Sequence, residues 1–323
     1  MPDLTKMRNF QVQRWLLLTC LLGLLAVYSR AARSEEEPAP FRESFVANAT
    51  HAMYVQAWRP NPQLAPRGHL ILVHGGSHTG TGWTTTPDGR PGWAFHLARA
   101  GWTVHVVDWP GVGRSGSRPE NVNDTPADVV EILALLLSRT GPAVLMGHSI
   151  GGALAIKLTE RMPESVRAVV ALAPASVETV GNIVPAAPLD RLSGTTREGA
   201  LQRFANSPTF PQEAFDSYFS SLVLYSPRIR NAAAGLSDDF KIDRSKAAIW
   251  KGQVPLLLLA AEEDVTVPPA RMSQTAAALG VSPTMLGKDW GMPGHGHLFI
   301  VERGTDAIAE KVDAWLATKA KPQ

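Results

Sequence analysis

The sequence predicts an α/β fold with a mostly parallel central sheet, helices on both faces and an inserted helical cap. Strand-length apolar runs alternate with helical segments from about residue 53 onward. Strands that are apolar throughout are typical of parallel sheets buried on both faces. Hydrophobic residues make up 45% of the 323 residues and charged residues 19%, which suits a globular protein with a large core.

The predicted strands and helices set the domain organisation. The core is expected over 45–176 and 251–320, after an acidic, proline-containing linker at 33–44, and the segment 177–250 is expected to form the cap or lid. Strands are predicted at 53–58, 69–74, 103–108, 143–147, 167–173 and 254–260, and helices at 91–100, 126–140, 150–161, 269–279 and 305–318.

The N-terminal segment has the pattern of an export signal. Three basic residues precede the apolar run 15–28, which is shorter than the roughly 20 residues that a membrane-spanning helix needs. Small residues follow it, so we expect a signal peptide over 1–32 and an exported, periplasmic or secreted protein. An uncleaved N-terminal membrane anchor is the alternative. Cys20, the only cysteine, lies in this leader, so the mature chain would have no disulfide.

The overall charge gives no indication of a polyanionic partner. The formal net charge is +2, and the sequence has no lysine and arginine cluster. We therefore expect neither a nucleic-acid partner nor a stable membrane partner beyond the possible anchor. The sequence does not define the oligomeric state.

The peptide GHSIG at 147–151 has the form G-x-S-x-G and lies between a predicted strand and a predicted helix. A sharp turn at this point would force Ser149 into a strained backbone conformation and expose its hydroxyl group. The two glycines are required because a side chain would clash in the turn. Ser149 is therefore the candidate nucleophile, and His148 and Ile150 are not.

A second motif follows the first long predicted strand, where the chain reads His74-Gly75-Gly76. In a strand–turn–helix arrangement of this kind, a backbone N–H from that loop and one from the residue after the nucleophile can bind a developing oxyanion. We assign these two donors to Gly76 and Ile150.

The candidate base is His297, in the glycine-rich peptide PGHGHLF at 293–299. His297 leads directly into an apolar run and is expected to point inward, whereas His295 is the competing choice. Two histidines spaced two residues apart, without nearby cysteines or suitably spaced carboxylates, form a poor metal site. We expect no metal and no cofactor.

The candidate acid is Asp264, which follows the predicted strand 254–260. A carboxylate there could accept a hydrogen bond from His297 and fix the imidazole tautomer. Its neighbours Glu262 and Glu263 are also carboxylates, and Glu178, after the strand 167–173, is the alternative acid.

Taken together, these motifs and the peptide DWPGVGRS at 108–115 resemble the α/β-hydrolase superfamily over about 53–318. The peptide TPDGRPGW at 86–93, and Glu302 five residues after His297, resemble a group of secreted bacterial esterases. In that group the acid can be a glutamate after the strand that follows the elbow helix. Here Ala173 occupies that position, so the resemblance leaves the acid role to Asp264.

The resemblance implies a serine hydrolase that cleaves a small-molecule carboxylic ester through an acyl-enzyme. An acyltransferase, amidase or lactonase could use the same residues. A hydrolase-like binding protein without catalysis is the alternative from another class.

Overall fold

The computed structural model describes residues 40–175 and 185–320. In these residues the chain forms an eight-stranded sheet in the order β1-β2-β4-β3-β5-β6-β7-β8. The strands are β1 Phe41–Ala47, β2 Ala52–Trp58, β3 His69–Val73, β4 Thr103–Asp108, β5 Ala143–His148, β6 Val166–Leu172, β7 Leu256–Ala260 and β8 Thr284–Met285.

The pairing confirms the predicted mostly parallel sheet. Strands β1 and β2 pair in antiparallel fashion, as do β2 and β4, and every other pair is parallel. Strand β5 is buried along its whole length and lies between β3 and β6. The carboxyl ends of β3, β5 and β7, which precede the candidate site residues, therefore meet at one edge of the sheet.

Strand β1 corrects the predicted linker at 33–44. The strand begins at Phe41, so the last four residues of that segment belong to the sheet. Most of β1 is exposed because it is an edge strand. It therefore lacks the continuous apolar pattern by which β2 to β7 were predicted.

The α-helices of the described residues are α1 Thr81–Thr84, α2 Trp93–Arg99, α3 Pro126–Thr140, α4 Ile150–Arg161, α5 Arg197–Arg203, α6 Phe215–Ser220, α7 Pro227–Ala233, α8 Pro269–Leu279, α9 Leu286–Trp290 and α10 Thr305–Lys319. The five helices predicted outside the cap segment are present as α2, α3, α4, α8 and α10, with small shifts at their ends, whereas the short helices α1 and α9 were not predicted. Helix α2 packs against α10, and α3 packs against α4. A capping box between Thr125 and Asp128 starts α3, with Pro126 in its first position.

The chain between β6 and β7 contains the short helices α5 to α7, within the segment predicted as the cap. Part of this segment contacts the loop after β3: the Val223 N–H donates to Ser77 O at 2.9 Å, and Tyr218 O–H donates to His78 Nε2 at 3.0 Å. These contacts place it over the carboxyl end of the sheet.

Two predicted features lie outside the described residues. The leader at 1–32 stays a prediction, as does any role of Glu178. No helix in 40–175 or 185–320 combines the length and apolar character needed to cross a bilayer.

Candidate active site

The turn after β5 has the geometry that the G-x-S-x-G pattern predicts. Ser149 lies between the end of β5 and the start of α4, with φ 55° and ψ −121°, a conformation that side chains rarely adopt. A Cβ on Gly147 would lie 2.1 Å from the carbonyl oxygen of Gly151, and a Cβ on Gly151 would lie 2.2 Å from that of Val73. Both positions therefore require glycine.

Three predicted site residues lie together at the sheet edge. The Ser149 hydroxyl donates to His297 Nε2 at 3.1 Å. On the other side of the ring, His297 Nδ1–H donates to Asp264 Oδ2 at 2.8 Å. All three side chains are buried. One imidazole therefore bridges a hydroxyl and a carboxylate, with one nitrogen free to accept a proton.

The carboxylate of Asp264 is fixed by its own loop. Its second oxygen, Oδ1, accepts hydrogen bonds from the backbone N–H groups of Thr266 and Val267 at 2.8 and 2.7 Å. The neighbouring carboxylates point elsewhere. Glu262 accepts from the N–H groups at 287 and 288, and Glu263 is exposed. Asp264 is thus the carboxylate of this loop that reaches His297.

The competing histidine faces away from Ser149. His295 Nδ1–H donates to Glu302 Oε2 at 3.1 Å. The same buried carboxylate accepts from the Gly296 N–H at 3.1 Å and from Thr209 Oγ1 at 2.7 Å. Glu302 therefore ties together the loop that carries His297. The sequence drew attention to Glu302 only through a resemblance, since nothing in its spacing indicates this role.

The two predicted oxyanion donors border the same cavity as Ser149. Within the described residues, neither the Gly76 N–H nor the Ile150 N–H donates to another group of the protein. A Cβ on Gly76 would lie 2.7 Å from Tyr225 Oη and 2.8 Å from Ile150 Cδ1. Glycine at 76 therefore keeps the backbone of this loop open to the cavity.

Buried polar contacts hold the loop after β3 in place. His74 stacks on Trp109 with a centroid distance of 4.2 Å, and its Nε2 accepts from the Trp109 N–H at 3.2 Å. Burial lowers the pKa of His74 to about 4, so the ring stays neutral and can accept. Asp108 Oδ1 accepts from the Gly80 N–H at 2.7 Å, and Asp108 Oδ2 accepts from Arg114 Nε–H at 2.9 Å.

The cavity beside Ser149 has a volume of about 260 Å³. Two aromatic residues, Phe204 and Tyr225, border it. Three arginines also line it, Arg203, Arg230 and Arg271. Sequence reasoning missed these arginines because they lie on separate elements and follow no common spacing.

A model of the Alpha/beta hydrolase family matches residues 70–311. This span is most of the chain and includes every predicted site residue. The chain therefore belongs to the alpha/beta hydrolase family.

Individual relatives agree with this assignment. A fungal protein described as "Probable secreted lipase phiG", from Fungal sp. (strain ATCC 74256), is 26% identical over 54% of this chain; the chain spans 63% of that relative's length. The carboxylesterase CesB of Bacillus subtilis has the same fold, with a TM-score of 0.54 at 21% identity over 87% of this chain and 93% of that one. The structure of a bacterial esterase has a TM-score of 0.57 at 16% identity, and the match covers 87% of this chain and 94% of that one.

Proposed function

We propose that this protein hydrolyses carboxylic esters through an acyl-enzyme on Ser149. The observation that carries the proposal is the continuous hydrogen-bonded series from Ser149 through His297 to Asp264. A strained elbow that presents a hydroxyl group to such an imidazole is the arrangement needed for nucleophilic acyl transfer.

In the proposed mechanism each group has a defined role. Ser149 Oγ attacks the acyl carbonyl carbon while His297 Nε2 accepts the hydroxyl proton. Asp264 stabilises the imidazolium that forms, and the N–H groups of Gly76 and Ile150 bind the oxyanion. His297 then protonates the leaving alcohol oxygen. Water, deprotonated by the same imidazole, attacks the acyl-enzyme, and Ser149 leaves with the proton restored.

The rival activities share this apparatus. An acyltransferase, amidase or lactonase would use the same three residues and differ in the acyl acceptor or the leaving group. The relative described as a lipase supports a hydrolytic esterase over them. A binding protein without catalysis would have no need for the strain at Ser149 or for a bridged imidazole.

The test is the turnover of a chain-length series of 4-nitrophenyl esters by the wild-type protein and Ser149→Ala. We expect turnover by the wild type that falls to background in the variant. Absence of turnover on every ester, together with no labelling by a fluorophosphonate, would contradict the proposal. Labelling without ester turnover would instead favour another acyl acceptor or leaving group.

We also propose that the protein is exported. The basic and apolar pattern of 1–32 supports export, and the fungal relative is described as secreted. Mass spectrometry of the protein recovered from its producing cells tests this: a mature chain starting near residue 33 is expected, and an intact leader on membrane-associated protein would indicate an anchor.

A further inference from the structure

The wall of the Ser149 cavity carries an excess of positive charge. Arg203, Arg230 and Arg271, here called the arginine cluster, line it together with mostly apolar residues. No aspartate or glutamate is among the lining residues that the structure describes. The buried carboxylate nearest to the reaction centre, Asp264, is engaged by His297 and by two backbone N–H groups.

None of the three arginines has a carboxylate within ion-pair distance in the described part of the chain. Arg230 donates to two neutral acceptors, the Pro185 carbonyl and Asn231 Oδ1. The guanidinium of Arg203 lies 5.1 Å from the centre of the Phe204 ring. The described residues therefore place no negative charge against the arginine cluster.

Arg271 is the least satisfied member of the cluster. Its Nε is buried and has no hydrogen-bond partner among the described residues. Burial lowers the pKa of Arg271, and burial likewise lowers that of Arg230, with a further contribution from the charge of Arg203. A buried Nε–H group without an acceptor is unfavourable by itself, so its position is better explained by an acceptor that enters with the substrate.

We propose that the arginine cluster selects esters that carry a second, anionic group such as a carboxylate or a phosphate. The planar guanidinium binds such groups through paired, charge-assisted hydrogen bonds. The anion would occupy the cavity wall while the ester carbonyl reaches Ser149. This inference rests on the proposed function, since it concerns the substrate class of the same site.

Matched pairs of esters separate charge from size. On the acyl side, mono-4-nitrophenyl glutarate is compared with 4-nitrophenyl pentanoate. On the alcohol side, 4-butyryloxybenzoate is compared with phenyl butyrate. Each anionic-to-neutral ratio of kcat/KM is measured for the wild type and then for Arg271→Gln, so that the intrinsic reactivity of each ester cancels. The pair of esters whose ratio changes in Arg271→Gln shows which side of the ester bears the anion.

For at least one of the two ester pairs, we expect Arg271→Gln to lower the anionic-to-neutral ratio of kcat/KM by about 10-fold, mainly through a higher KM for the anionic ester. Arg271→Lys, which keeps the charge, should recover part of the loss. Arg228→Gln is the matched control because Arg228 is exposed on the same helix as Arg230 and does not line the cavity. It should leave both ratios unchanged. Salt should raise KM for the anionic ester more than for the neutral one.

A second readout does not depend on turnover. Since Arg271 is half-buried and its Nε has no partner among the described residues, Arg271→Gln should unfold at an equal or higher urea concentration than the wild type.

Turnover of the neutral esters with ratios unchanged by Arg271→Gln would overturn this inference alone. Absence of turnover on all four esters, with no fluorophosphonate labelling, would instead contradict the proposed function.

Discussion

His148 Nε2–H donates a hydrogen bond to the backbone carbonyl of His297 at 2.7 Å. The residue before the candidate nucleophile therefore fixes the position of the candidate base. The two rings also lie 4.8 Å apart at an angle of 50°. Burial keeps the pKa of His148 well below its ordinary value, with the charge of His297 adding to the effect. His148 is thus a neutral donor at neutral pH.

This contact predicts a positioning role for His148. His148→Phe keeps most of the ring volume but leaves the His297 carbonyl without its donor. We expect a loss of about 1–3 kcal/mol in the free energy of unfolding and a fall in kcat of about 10-fold with little change in KM. Urea unfolding and ester kinetics measure the two effects. His148→Gln, which can still donate, should recover part of each, and a Phe variant identical to the wild type would refute the role.

The assignment of the acid can be tested with two amide substitutions. Asp264→Asn removes the charge that stabilises the His297 imidazolium and favours the wrong tautomer, so kcat should fall by a factor on the order of 10⁴. Glu178→Gln is the matched change at the alternative carboxylate and should leave kcat within about 2-fold of the wild type. The reverse pattern in steady-state kinetics would transfer the acid role to Glu178.

Glu302 is expected to support activity without touching the substrate. In Glu302→Gln an amide NH₂ group would face donors that now approach a buried carboxylate, at Gly296, Thr209 and His295. We expect the free energy of unfolding to fall by about 2 kcal/mol and kcat to fall with KM nearly constant.

The control for this change is Glu310→Gln, at an exposed position of α10. The free energy of unfolding, measured by chemical denaturation, and kcat should both be unchanged in Glu310→Gln. Wild-type stability and kcat in Glu302→Gln would mean that the carboxylate does not hold the loop.

Buried histidines predict that the fold weakens in mild acid. Burial lowers the pKa of His74 to about 4, and burial together with the charge of His69 lowers that of His105 to about 4. The histidines of the unfolded chain have pKa values near 6.5, so between about pH 4 and pH 6.5 the unfolded chain binds more protons than the folded chain. The free energy of unfolding should therefore fall as the pH falls from about 6.5 to about 4.

Urea unfolding at several pH values measures this dependence. His74→Gln removes one titrating group and keeps an acceptor for the Trp109 N–H. Its free energy of unfolding should vary less steeply with pH over this range. An equal slope in the variant and the wild type would show that His74 does not contribute.

The sequence predicted the elements whose signals are local. The G-x-S-x-G turn is set by clashes that involve Gly147 and Gly151 within the elbow and with the adjacent strand, so its residues alone indicate it. Alternating apolar strands and helices likewise predicted the sheet around β5. The exposed edge strand β1 and the two-residue strand β8 have no such pattern and were not predicted.

Contacts between distant segments could not be read in the same way. Thr209 lies in the chain between β6 and β7, and nothing in the sequence indicates that it bonds Glu302, 93 residues later. The arginine cluster brings together Arg203, Arg230 and Arg271 from three helices only in the folded chain. Such features depend on packing, whereas a turn or a cap depends on a few neighbouring residues.

Covalent trapping tests whether Ser149 is an activated nucleophile. The wild-type protein and Ser149→Ala are treated with a fluorophosphonate, digested and mapped by mass spectrometry. We expect a single adduct on the peptide that contains Ser149, lost in the variant, and slower labelling in Asp264→Asn. No adduct on Ser149, or equal labelling of the variant at another serine, would contradict it.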